Sequence, residues 1–320
     1  MIGNLAFLCI ILVCVVHVGW TASTESGQML VSLSRSLLPE LAVSFFYIVS
    51  GYFLARHFGE PGWWKTAVLK RLRTLMVPYF VWATVNVALV YANTGSLPGR
   101  GGGYALSPFS SPDLIPLWYL RCLMVLVVLS PLVWLALKRF GKSFLAAAFA
   151  ANLLLGVLLE SGVITEQQPV GMLLCYTLSP LGLFYFSFGA YLSHNPVTLS
   201  RRAGTLGGAA ALALLAVRLV LFHFKIVIPF NLCALIAPAA LAFLWTRTPA
   251  TPLPTSLTRA VFPIFLMHVL FFKQLRYLGL GAGTLGQWTI LVLGIVLSIA
   301  VSEILHRFFP RVAYVAFGGR

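Results

Sequence analysis

Long apolar runs recur along this chain with little between them. Ten stretches stand out, at about 4–22, 38–56, 74–93, 116–137, 143–159, 171–193, 203–222, 229–246, 260–276 and 286–305. Each has roughly the 17–25 residues that a helix needs to cross the hydrocarbon of a bilayer. Backbone amides in lipid must be satisfied within the segment, so such runs fold as helices or not at all. A β-barrel would show short alternating segments instead. The sequence therefore predicts an all-α, polytopic bundle with one transmembrane domain over residues 1–320. Composition agrees. Sixty per cent of residues are apolar and 9% charged, with a mean hydropathy of +0.94. No polar stretch is long enough to build a soluble domain. The first run lacks a basic leader and a small-residue cleavage site, so it reads as a helix, not a signal peptide.

The net charge of +15 would suggest nucleic acid in a soluble protein. Its placement argues otherwise. With the N-terminus inside, one set of loops holds 15 Lys and Arg residues, from Arg56 to Arg320. The other set holds five: Arg35, Arg100, Lys225, Lys273 and Arg276. This bias follows the positive-inside rule and predicts cytoplasmic termini. Most acids fall outside or at the outer rim: Glu25, Glu40, Asp113, Glu160 and Glu166. No nucleic-acid partner is expected. A Gly-, Pro- and Ser-rich stretch at 93–113 forms the longest outside loop, and 246–259 is a Pro-rich inside linker. No internal repeat of the transporter kind is visible, nor are helices broken at matched positions. The five cysteines (Cys9, Cys14, Cys122, Cys175 and Cys233) all lie in apolar runs without metal-ligand spacing. They read as packing thiols, and no metal is expected.

Ionisable residues at membrane depth are costly and point to function. His17 lies in "CIILVCVVHVGW" near the outer end of the first run, and His268 in "PIFLMHVLFF" of the ninth. The alternative for both is a hydrogen bond that ties helices together. Arg121 follows Trp118 by three residues, on one helical face. It is either a buried functional cation or an interface anchor. Arg218 and His306 can snorkel to an interface. Lys70, Arg71 and Arg73 in "KTAVLKRLRTLMVPYF" are either positive-inside anchors or an anion site for phosphates at a cytoplasmic pocket mouth. Ser50-Gly51 lies within the second run, where small residues permit close helix approach.

Taken in order, these pieces resemble the acyltransferase-3 family of membrane acyltransferases, from about residue 4 to residue 305. The segments are "NLAFLCIILVCVVHVG", "AVSFFYIVSGYFLARHF", "KRLRTLMVPYFVW", "LWYLRCLMVLVVLSPL" and "FPIFLMHVLFF". The resemblance implies transfer of an acyl group, usually acetyl from acetyl-CoA, to a hydroxyl of a carbohydrate or lipid-linked glycan. It implies that His17 is the catalytic histidine and that the Lys70–Arg73 cluster is functional. It also implies a multi-pass protein of the bacterial inner membrane, in contact with membrane lipid. Family members usually carry Arg eleven positions before the helix-one His, about 16 Å away on the same face. Here that position is Ala6.

On this reading His17 is a general base, since imidazole titrates near neutrality. A transient acyl-His intermediate stays open beside direct transfer. Glu40 would orient His17 or the sugar, or else be a solvated cap residue. Arg121 and His268 complete the expected substrate site. The rival classes are a transporter or flippase for glycan or acyl substrates that has lost catalysis, and a non-catalytic assembly partner.

Overall fold

The computed structural model of the chain describes residues 1–21, 25–95, 117–165, 168–224 and 232–319. Most of the 93–113 loop, with Arg100 and Asp113, lies outside these residues, as do Glu166, Lys225 and Arg320. The described residues form helices joined by short turns, with no strand among them.

Helix α1 (Ile2–His17) leads to α2 (Glu25–Ala55). A single rod follows, made of α3 (Trp63–Arg71), a π-helical turn (Leu72–Met76) and α4 (Val77–Thr94). Helices α5 (Trp118–Val128) and α6 (Ser130–Phe140) are bent by 61° at Leu129. Ser130-Pro131 opens α6, and a proline is at home in a first helical turn where its missing N–H costs nothing. Then come α7 (Lys142–Glu160), α8 (Pro169–Tyr176), α9 (Pro180–His194), α10 (Arg201–His223) and α11 (Leu232–Arg247). The chain ends in α12 (Thr255–Tyr277), α13 (Gly283–Phe308) and the short α14 (Pro310–Phe317).

Helix or helix pairs stand at all ten expected places, but they are not ten equal spans. Seven segments are long and apolar enough to cross a membrane, and the bent α5–α6 pair would be an eighth. Helix α1 and the segment Cys233–Arg247 are apolar but shorter. The helix expected to start near 38 starts at Glu25, because its Ser-rich first turns are polar but still helical. The bend between α5 and α6 also interrupts what reads in the sequence as one run, 116–137. All five cysteines are free thiols, and Cys9, Cys14, Cys122 and Cys233 are buried.

Helices α2 and α9 form the tightest pair, alongside α10 with α11 and α12 with α13. Glycine explains the α2–α9 contact. A Cβ on Gly51 would strike the carbonyl oxygen of Phe186, and one on Gly189 that of Ile48. The two backbones thus meet at reciprocal glycines, the small-residue packing expected of Ser50-Gly51. Helix α1 lies against α2 and α12. Its start is tied to the 246–259 linker: Asn4 donates to the carbonyls of Pro249 (3.0 Å) and Thr251 (2.8 Å) and accepts from the Leu253 amide (3.0 Å). Its far end is tied to α12, where Arg276 donates to the Val18 carbonyl. The core thus runs the length of α1, from Leu5 through Cys14 to Val18.

Helix α14 was not foreseen. Its eight residues carry an apolar edge (Ala313, Ala316, Phe317) that buries against α4 and α13. Trp82 donates to the Ala316 carbonyl at 2.9 Å, and Phe317 stacks between Trp82 and His306. His306 is therefore a packing residue, its Nδ1 also donating to the Ser302 carbonyl at 2.7 Å.

Candidate active site

His17 is the last residue of α1, and its ring faces His268 in the middle of α12. The ring centroids are 5.3 Å apart and inclined by 47°. His268 is wholly buried, while His17 is half-buried. The His268 Nδ1 lies 2.8 Å from the Ile264 carbonyl. A carbonyl only accepts, so Nδ1 carries the proton and Nε2 keeps a lone pair. That Nε2 is buried and makes no hydrogen bond. A buried acceptor without a donor is uncommon and marks a place where a proton or a polar group belongs. The two histidines are 251 residues apart, and the bundle brings them together.

The basic cluster divides. Lys70 and Arg73 are exposed, whereas Arg71 is half-buried and its guanidinium lies within electrostatic reach of the Tyr119 hydroxyl. The π-helical turn begins at the next residue. Such turns insert one extra residue and often occur at functional sites. Here it sets the angle at which Arg71 and Tyr79 meet α5.

Tyr119 links the two regions. Its hydroxyl is 3.4 Å from Ser50 Oγ, and its ring is 4.8 Å from Tyr47 and 5.7 Å from Phe265. Phe265 precedes His268 by three residues, hence on the same face of α12. A line of side chains therefore runs from Arg71 through Tyr119 and Phe265 to His268 and His17. Sequence reading missed Tyr119 and Phe265.

Arg121 stands beside this line with a structural duty. Its Nε donates to the Tyr176 carbonyl at 3.0 Å, and Cys122 Sγ donates to the Thr177 carbonyl at 3.3 Å. Both carbonyls lie where α8 stops and α9 has not begun. Backbone freed at membrane depth must find partners within the protein, and α5 supplies them. Arg121 also lies within hydrogen-bonding reach of Tyr79. It is a half-buried cation tied to the backbone of the α8–α9 break.

Glu40 corrects the expectation of a solvated cap. It sits in the middle of α2, with 9% of its surface exposed. Its neighbours are Asn152 of α7 and Tyr185 of α9, and Tyr185 also approaches Ser44. Glu40 Oε1, Ser44 Oγ, Asn152 Nδ2 and the Tyr185 hydroxyl are all buried without a hydrogen bond of good geometry. The four form a polar knot between α2, α7 and α9.

Comparison with known proteins agrees with the architecture. A stretch of 167 residues is 29% identical to the succinoglycan biosynthesis protein ExoH of Rhizobium meliloti (strain 1021), covering 47% of this chain and 40% of ExoH. The chain thus matches less than half the length of this relative. No solved structure matches. The acyltransferase domain that defines the acyltransferase-3 family matches residues 5–307, from the first turn of α1 to the end of α13, and so takes in the paired histidines, the basic cluster and the aromatic line between them. The chain belongs to that family of membrane acyltransferases.

Proposed function

We propose that the protein transfers an acyl group, with acetyl the expected one, from acyl-CoA to a hydroxyl of a surface glycan or lipid-linked saccharide. The observation that carries this reading is the pairing of His17 with His268, whose tautomer is fixed by the Ile264 carbonyl. When the His17 ring turns to donate one N–H to His268 Nε2, its other nitrogen is left with a lone pair. That nitrogen takes the proton of the acceptor hydroxyl as the oxygen attacks the thioester carbonyl. The tetrahedral intermediate then expels the CoA thiolate, which recovers the proton from His17. His268 is a positioning residue. Its role is that of the orienting group in a catalytic triad, filled by a neutral ring.

The charge bias sets the termini and the basic cluster on the cytoplasmic side, where CoA resides. The multi-pass protein then sits in the bacterial inner membrane with His17 toward the outside. Arg71 would hold CoA phosphates, with Lys70 and Arg73 at the mouth, and the pantetheine arm would run past Tyr119 and Phe265 toward His17. The polar flank of that path is Ser50 and Arg121. An acceptor glycan approaches His17 from the opposite face. ExoH is named for succinoglycan biosynthesis, which supports a glycan as acceptor.

The bend between α5 and α6 and the break between α8 and α9 favour a second reading, passage of a substrate without chemistry, since transporters use discontinuous helices. One experiment separates the two. Purified protein is given acetyl-CoA and an oligosaccharide acceptor, and O-acetyl product and free CoA are measured. Product formation that disappears in His17→Ala supports transfer. Unchanged product formation in that variant refutes the catalytic role of His17, and glycan movement across vesicles without product supports transport.

A further inference from the structure

Beyond His17 the chain leaves α1 and meets three other helices. Trp20 turns its indole N–H inward to the Val15 carbonyl at 2.7 Å and sets its ring against Trp288 of α13, with centroids 4.9 Å apart. Arg35 of α2 donates to the Trp20 carbonyl at 3.3 Å. Arg276 of α12 donates to the Val18 carbonyl. Gln287 of α13 donates to Thr21 Oγ1 at 2.7 Å, and its own carbonyl oxygen is buried without a partner. Four elements thus converge within four residues of His17.

Two guanidinium groups meet at this rim. Arg35 and Arg276 are both exposed, and each spends one N–H on a backbone carbonyl. Among the described residues the ion pair formed is His57–Glu60, so neither guanidinium is paired with a carboxylate there. An arginine fork with free N–H groups is shaped for a carboxylate or phosphate. Gln287 adds a buried acceptor suited to a hydroxyl, and Trp20 with Trp288 adds aromatic surface. Aromatic walls with a few fixed polar groups are what small-ligand sites are made of.

We propose that this rim is a saccharide subsite that selects an acceptor bearing an anionic sugar. The proposal rests on His17 as the site of transfer and adds the charge class of its acceptor. The carboxylate of the sugar sits between Arg35 and Arg276. A ring hydroxyl meets Gln287, and the apolar face of the ring lies on Trp288. Interfacial tryptophans that merely anchor a protein in lipid present their polar edge to the headgroups. Trp20 instead points its N–H into the protein, which favours the saccharide over an anionic lipid headgroup.

The test is binding, so it stands apart from the acyl-transfer reaction. Full-length protein in phosphatidylcholine nanodiscs is titrated with a galacturonate tetramer and with a neutral galactose tetramer, followed by tryptophan fluorescence. The acidic tetramer is expected to bind at least about tenfold tighter, as charge-assisted hydrogen bonds imply, and to lose that advantage as salt rises. The pair Arg35→Gln and Arg276→Gln should abolish the preference, Arg276→Lys should retain part of it, and Trp288→Leu should weaken both ligands. His17→Ala should leave the preference intact, so failure of the catalytic reading and failure of this one give different results. Equal binding of the two tetramers overturns the proposal. So does a preference that survives the double substitution. Displacement of the acidic tetramer by phosphatidylglycerol discs, lost in the same double variant, would assign the arginines to lipid and overturn it too.

Discussion

The rings of Tyr119 and Phe265 lie 5.7 Å apart, edge to face, between a cationic side chain and a buried imidazole. On one side Tyr119 faces Arg71, and on the other Phe265 is one helical turn from His268. The positive charge expected at the cytoplasmic mouth and the histidine expected near the outer face are thus joined by two aromatic rings. On the proposed function, the thioester arm would run along these two rings.

This division of the basic cluster predicts unequal effects. Arg71→Ala should raise KM for acyl-CoA by about 10–150-fold, as the loss of a charged hydrogen bond implies. Lys70→Ala and Arg73→Ala, both exposed, should change it by only about fivefold or less, in line with surface ion pairs. Steady-state kinetics with acyl-CoA, set against an acyl-pantetheine that lacks the nucleotide, distinguishes phosphate binding from folding. Only the full donor should feel the Arg71 change.

His17→Ala should lower kcat by about 10²–10⁴-fold. His268→Ala should also lower kcat, by less, with KM for the donor unchanged, because in the proposed mechanism His268 orients a base and does not touch substrate. A merely structural His268 would instead reduce the yield of folded protein and leave the kcat of the remainder intact. Active-site titration alongside kinetics reads the two apart.

Gly51→Ala should destabilise the α2–α9 pair by about 1–3 kcal/mol, the usual cost of forcing a methyl into a filled interface. The added carbon would meet the Phe186 carbonyl oxygen. Ser50→Ala keeps that packing and loses only the 3.4 Å contact to Tyr119, so its cost should be at most about 0.5–1.5 kcal/mol. Thermal unfolding in detergent should place Gly51→Ala well below Ser50→Ala.

Trp82→Phe removes the hydrogen bond that fastens α14 at Ala316. The loss of about 0.5–1.5 kcal/mol falls on a helix of only eight residues. Amide hydrogen exchange in α14 should quicken, while exchange in α12 stays as it was. Equal protection of α14 in both proteins would show that its apolar edge suffices.

Much of this architecture is legible in the sequence because hydropathy acts locally. Helices α12 and α13 announce themselves by long apolar runs, and His17 and His268 stand out by being ionisable within such runs. The misses have physical causes too. Helix α14 is too short for any span criterion, and its apolar edge makes sense only against Trp82 and His306. The break after Tyr176 hides inside a continuous apolar run, where nothing in the residues 177–179 reveals that Arg121 and Cys122 will take up the freed carbonyls. Glu40 reads as a surface acid because its cover, Asn152 and Tyr185, comes from helices more than 100 residues away. Tyr119 and Phe265 look like two of many aromatics. Their meeting is set by helix packing, which no local pattern encodes.

The π-helical turn at Leu72–Met76 makes the α3–α4 rod unequally sensitive to gain and loss of a residue. A π turn holds one residue more than the α-helix around it. Deleting any one residue there would heal the rod into regular α-helix and leave its helical content unchanged. Each residue of an α-helix, however, turns the chain by about 100°. Arg71 before the turn and Tyr79 after it both meet α5, at Tyr119 and at Arg121. A single-codon deletion would remove the extra residue that the wide turn absorbs and keep these two contacts nearly in phase, whereas a single-codon insertion would turn them about 100° apart. The turn acts as a one-residue store of slack between the two contacts.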